Sequence, residues 1–132
     1  MRRSIRWVPE SAVRAIHAGL IAEHGGRGGL RDAGLLSSAL ARPRNRKVYG
    51  AASSLFDLAA AYGVAIARNH PFIDGNKRVA LALIYVFLEM NGVRLEASEK
   101  DAVEAMLAIA AGQMGEKELS VWIRKNSVSV LK

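Results

Sequence analysis

His70-Pro71-Phe72-Ile73-Asp74-Gly75-Asn76-Lys77-Arg78 is a polar loop set between two apolar runs, and the run that follows it, Val79 to Leu88, is ten apolar residues long. An unbroken stretch of that length reads as a helix buried on every face rather than along one stripe. The charges therefore gather at its mouth. A helix opening near Asn76 offers free backbone N–H groups and the positive end of its dipole, and Lys77 and Arg78 add two formal charges to the first turn. That combination draws anions, phosphates above all. Gly75 lets the backbone turn sharply or come close to a bound group. His70 can carry a proton near neutral pH, and Asp74 can hold a divalent cation against phosphate oxygens. An acid–base group, a metal ligand and an anion cradle within nine residues are what phosphoryl or nucleotidyl transfer requires.

Working outward, 132 residues fit a single domain, 1–132 with its core over about 8–124, large enough to bury roughly two thirds of its extended surface. The composition is 51% hydrophobic but only 6% aromatic, rich in Ala and Leu, which favours helices over sheets. Absence of cysteine excludes a disulfide framework and a thiolate zinc site, and suits a reducing cytoplasm. Arg2, Arg3 and Arg6 are followed by Trp7-Val8-Pro9-Glu10 rather than a hydrophobic signal core, so a cytoplasmic location is expected. Val79 to Leu88 would make about 15 Å of helix, too short to cross a bilayer. A net charge of +7 and a pI near 10.3 bias the chain toward polyanions: nucleic acid, nucleotide phosphates or an acidic partner protein.

Pro9-Glu10 and the spacing of Val13, Ile16, Leu20 and Ile21 predict an amphipathic helix ending near His24. Gly25-Gly26-Arg27-Gly28-Gly29 then re-aims the chain; with no preceding strand and no following Gly-Lys-Ser/Thr it is a turn, not a phosphate loop. Asp32 to Leu40 reads as a short helix closed by Arg42-Pro43. Arg42, Arg44, Arg46 and Lys47 form an exposed basic loop, either simply solvated or a flap over the central loop. Ser53-Ser54 can cap a long helix to about Asn69, with Leu58, Tyr62 and Ile66 facing the core, and Pro71 places His70 at its exit. Asn91-Gly92 stops the helix after the loop, and Val93 to Ala97 is an extended link. Ser98-Glu99-Lys100-Asp101 starts another helix that ends at Gly112. A last helix carries Leu119, Val121, Trp122 and Ile123, beyond which the tail should fray. The expected fold is all-α, a compact bundle of about six helices with almost no strand.

The nine-residue loop resembles the signature of the Fic/Doc superfamily, and Lys77 within it resembles the Doc (death-on-curing) toxins. Gly25-Gly26, Leu30-Arg31-Asp32, Gly34-Leu35-Leu36, Ser38-Ala39-Leu40, Asp57-Leu58-Ala59 and Asn91-Gly92 are similar to Doc-like sequences as well, so the resemblance spans about Val8 to Arg124. It implies an all-α toxin of a type II toxin–antitoxin pair that uses ATP and Mg²⁺ to phosphorylate a threonine of elongation factor Tu and so block translation. A Phd-type antitoxin would neutralise it by laying its C-terminal segment in a groove over the site. On that resemblance His70 is the general base, Asp74 holds Mg²⁺ or orients the target hydroxyl, and Phe72 packs inward. Gly75, Asn76, Lys77 and Arg78 would bind the ATP phosphates. Arg68, two residues before His70, either joins that anion site or caps its own helix. His17 and His24 read as structural.

Two positions depart from the wider Fic pattern: Lys77 stands where Fic adenylyltransferases have a second glycine, and Leu81 where they have a second arginine. Both departures favour phosphate over AMP transfer, with adenylyl transfer as the alternative. Further alternatives are a catalytically inactive antitoxin-binding chain or a nucleic-acid-binding module built on Arg42 to Lys47. Few aromatics and no zinc-ligand pattern argue against the last, so no direct nucleic-acid partner is expected.

Overall fold

The computed structural model describes residues 4–49 and 53–130; Arg2 and Arg3 lie outside the described residues. Six helices carry the fold: α1 (Glu10–His24), α2 (Ala33–Tyr49), α3 (Leu55–Asn69), α4 (Asn76–Met90), α5 (Glu99–Ala110) and α6 (Glu116–Lys125). Two short strands, β1 (Val93–Leu95) and β2 (Ser127–Ser129), complete it.

The helix buried on every face is α3, not α4. Ten consecutive residues of α3, Leu58 to Ala67, are buried, and α2, α4, α5 and α6 all pack against it. Its small side chains explain this: Ala59, Ala60, Ala61, Ala65 and Ala67 let neighbours approach from all sides. At Gly63 the approach is closest, since a Cβ there would stand 2.6 Å from Ile84 Cδ1 of α4. In α4, Val79, Ala80, Leu83, Ile84, Phe87 and Leu88 are buried, while Leu81, Ala82, Tyr85 and Val86 are only half-buried. One side of α4 is thus left to line a cleft.

Ser54 starts α3 with a capping box, its Oγ accepting from Asp57 N at 3.1 Å and its own N–H donating to Asp57 Oδ2 at 3.0 Å. The Asp57 carboxylate also accepts from Ser120 Oγ of α6 at 2.7 Å, so the cap doubles as an α3–α6 tie.

Two segments differ from expectation. Pro43 does not end α2 but sits inside it, and the basic residues belong to the helix instead of a loop. Proline there costs about 3 kcal/mol or more in an isolated helix. Tertiary contacts offset it: Pro43 is buried, Arg42 and Arg46 both pair with Glu116 of α6 at 2.8 and 2.9 Å, and the Arg44 guanidinium lies 5.4 Å from the Trp7 ring centroid. The tail after Lys125 is not frayed through Ser129, because β2 pairs antiparallel with β1, Arg94 opposite Val128. Asn126 O accepts from Glu96 N at 2.6 Å and Gly92 O from Val130 N at 2.9 Å, while Leu95 is buried beneath the ribbon. Among the described residues no helix is long and apolar enough to cross a membrane.

Candidate active site

The loop that joins α3 to α4 is held by its own side chains and by the segment that follows α1. His70 is the C-cap of α3 with φ 50° and ψ 58°, the one non-glycine with positive φ among the described residues. Left-handed backbone is costly for a side chain of this kind, and here it is held from outside. Arg31 donates from Nε to His70 O and from a terminal nitrogen to Asn69 O, both at 2.7 Å, which pins the last carbonyls of α3. Pro71 O accepts from Arg31 N and Asp32 N, Leu30 bridges Phe72 in antiparallel fashion, and Ile73 N donates to Gly29 O at 3.1 Å. The His70 imidazole itself is exposed and has no hydrogen-bond partner among the described residues.

Phe72 is buried, and Asn76 consumes both of its backbone groups, accepting from Phe72 N at 3.0 Å and donating to Phe72 O at 2.9 Å. The Asn76 side chain is therefore committed to the loop and is not free to hold phosphate; what remains is its backbone N–H. Asp74 is exposed. Its Oδ1 accepts from Gly75 N at 2.9 Å and its Oδ2 from Arg27 N at 3.3 Å. The glycine turn presses close here, since a Cβ on Gly26 would stand 2.7 Å from Asp74 Oδ2. That turn thus serves the site by aiming a carboxylate.

Gly75, in the left-handed conformation, is the N-cap of α4 and leaves the N–H groups of Asn76, Lys77 and Arg78 without acceptors among the described residues. Lys77 and Arg78 are exposed, and among the described residues neither forms an ion pair. They open onto a cleft of about 440 Å³ lined by the loop from Asp74 to Arg78 and by Leu81. The facing wall is α5, with Glu99, Val103, Met106 and Leu107, and His24 stands at one end. Val103 and Leu107 are 45% and 51% exposed, an apolar wall opposite a cationic floor.

The structure brings Asp74, Gly75, Lys77 and Arg78 together on this cleft, with His70 at the other end of the loop and not among the lining residues. It does not bring Arg68. That guanidinium donates to Ile109 O at 3.2 Å and Met114 O at 2.8 Å, tying α3 to the end of α5. Of the histidines read as structural, His17 is buried under the loop, whereas His24 reaches the cleft. His17 lies four residues from both Val13 and Ile21, a helical spacing that points only to burial, and no spacing places His24 at the cleft. For Mg²⁺, Asp74 offers one oriented carboxylate, and no group of three or more metal-binding side chains gathers among the described residues. That fits an ion carried mainly by phosphate oxygens and water.

Residues 7–88 match the sequence profile described as the Fic/DOC family. The chain belongs to the Fic/DOC family. A Mycolicibacterium smegmatis relative named Toxin Doc is 51% identical over 82 residues, which are 61% of this chain and 62% of that one. The chain thus spans under two thirds of that relative's length. Protein kinase doc of Escherichia phage P1 is 33% identical over 117 residues, 89% of this chain and 91% of the phage protein. The family profile ends at Leu88, so the loop, α3 and all but the last two residues of α4 lie inside it and the α5 wall of the cleft lies outside.

Proposed function

We propose that this chain is a Doc-type toxin of a type II toxin–antitoxin pair that transfers the γ-phosphoryl group of ATP to a threonine hydroxyl on elongation factor Tu. The observation that carries the reading is the start of α4: three unaccepted N–H groups, a compact ammonium and a forked guanidinium, all unpaired among the described residues, opening onto one cleft. Positive charge at a helix N-terminus is unfavourable unless an anion offsets it. A polyphosphate supplies that anion. The names of the two relatives, Toxin Doc and Protein kinase doc, support the same reading.

In this reaction His70 takes the proton from the target hydroxyl, whose oxygen bonds to the γ-phosphorus as the bond to the β,γ-bridging oxygen breaks and ADP leaves. Lys77 and Arg78 hold phosphate oxygens, Arg78 with two donors and Lys77 as a point charge. Gly75 and Asn76 contribute backbone only. Asp74 would hold Mg²⁺, which when bound would supply neutralisation of phosphate charge. A Phd-type antitoxin segment would cover the cleft, its apolar side chains on Val103 and Leu107.

Purified protein incubated with elongation factor Tu and γ-labelled ATP should label the factor, and His70→Ala should abolish the label. Label carried from α-labelled ATP would mean adenylyl transfer instead. No label from either, with mass analysis showing an unmodified factor, sinks the assignment.

A further inference from the structure

We propose that His17 is a positioning residue for this site, acting through the peptide bond between Asp74 and Gly75; the proposal rests on the phosphotransferase reading above. His17 and Val13 are the two buried residues of α1, with His17 at 5% exposure. Its ring lies flat on Phe72, centroids 4.0 Å apart and planes 11° from parallel, and its Nε2 is 2.9 Å from the carbonyl oxygen of Asp74. A carbonyl oxygen only accepts, so Nε2 carries the hydrogen and neutral His17 is the Nε2–H tautomer.

A trans peptide is planar, with its C=O and N–H pointing opposite ways, and no described peptide bond is cis. Holding the Asp74 carbonyl toward α1 therefore turns the Gly75 N–H away from α1. That N–H is the group that donates to Asp74 Oδ1 at 2.9 Å. The carboxylate is thus aimed by a peptide whose plane His17 sets, with Arg27 N steadying the second oxygen. The same peptide leads into the N-cap of α4. His17 ring atoms stand 3.8 and 3.9 Å from where a Gly75 Cβ would be, so the ring also backs the turn from which the N–H groups of Asn76, Lys77 and Arg78 project.

Packing alone does not account for an imidazole here. Phenylalanine would stack on Phe72 and fill the space equally well, but it has no donor for Asp74 O. The two halves of the site, carboxylate and anion-binding turn, share one hydrogen bond that comes from a different helix.

Three proteins test this: wild type, His17→Phe, which keeps the ring and loses the donor, and His17→Gln, whose amide N–H falls near the Nε2 position. Long-range ¹H–¹⁵N NMR of the wild type at about pH 8.5, where an ordinary histidine is neutral, should show the Nε2–H tautomer. An Nδ1–H tautomer overturns the proposal without any variant. Titration with Mg²⁺ and ATP, followed on the amides of Gly75 to Arg78, should weaken about tenfold in His17→Phe, the loss of one hydrogen bond. His17→Gln should recover most of that. Equal affinity in all three proteins, or a loss in His17→Gln as large as in His17→Phe, refutes the positioning role. If wild type itself does not respond to ATP, the phosphotransferase reading falls on its own. Positioning is then read from exchange of the Gly75 amide in free protein, and protection unchanged in His17→Phe overturns it.

Discussion

The side chain of Asn76 closes a ring on the backbone of Phe72, four residues earlier, by accepting its N–H and donating to its C=O at 3.0 and 2.9 Å. Only an amide can do both at once from that position. Because the ring is buried, it organises the loop whether or not a nucleotide is present. Asn76→Ala should therefore cost about 2–4 kcal/mol in urea unfolding of the free protein, since two buried backbone groups lose their partners. Asn76→Asp should be at least as damaging, because a carboxylate would face the Phe72 carbonyl. Unchanged stability with weaker nucleotide binding would instead make Asn76 a phosphate ligand.

Lys77 and Arg78 should show the opposite pattern. They occupy the first turn of α4, where the helix dipole disfavours cations by about 0.3–1 kcal/mol each. Lys77→Ala or Arg78→Ala is expected to leave the free protein as stable or slightly more stable, while ATP affinity falls about tenfold or more. Thermal unfolding with and without ATP checks both halves in one experiment. A loss of stability without nucleotide would show that these charges are structural.

The contrast between these positions also explains what could be read from sequence. Local signals worked where the physics is local: Pro9-Glu10 at the start of α1, Ser54 and Ser98 as caps, and Pro71 forcing His70 out of α3. They failed where the deciding partner is remote. Pro43 looks like a helix end until Glu116, from the other end of the chain, is seen to grip the arginines on either side of it. Ser127-Val128-Ser129-Val130 alternates polar and apolar residues, but so short a run sets a strand only once β1 pairs with it. Arg68 sits two residues from His70 in the chain yet is spent on the carbonyls of Ile109 and Met114. His17 had only helical spacing to recommend it, because its partners Phe72 and Asp74 lie across the fold.

At the α3–α4 contact, Gly63→Ala sets two effects against each other. Alanine gains about 1 kcal/mol of helix propensity over glycine. Its Cβ, however, would stand 2.6 Å from Ile84 Cδ1 and 3.2 Å from Cγ1, and Ile84 is fully buried with little room to swing aside. Overpacking of this kind costs about 1–3 kcal/mol, so a net loss of up to about 2 kcal/mol is expected. Ile84→Val removes Cδ1 and should lose about 1 kcal/mol alone. The double substitution should be clearly more stable than the sum of the two losses. Simple additivity would mean that the two residues do not meet.

Asp57 gives the fold an acid limit. Burial works against its charge, but hydrogen bonds from Ser120 and from the backbone and side chain of Ser54, helped by nearby Arg46, outweigh it and hold the carboxyl below its ordinary range. The unfolded chain titrates there at about 3.9, so in acid it takes up a proton before the folded state does. Stability from this group is therefore complete above that value and is lost as pH falls through the lower, folded pKa. Asp57→Asn should remove that part of the acid dependence, with a cost near neutral pH of about 1–2 kcal/mol from the weakened cap. Ser120→Ala removes one of the bonds that depress the carboxyl, so it should raise the folded pKa and shrink the same acid-side loss. Urea midpoints measured between about pH 2 and 5 separate these outcomes, and a wild-type slope surviving in Asp57→Asn would assign the acid limit to another carboxylate.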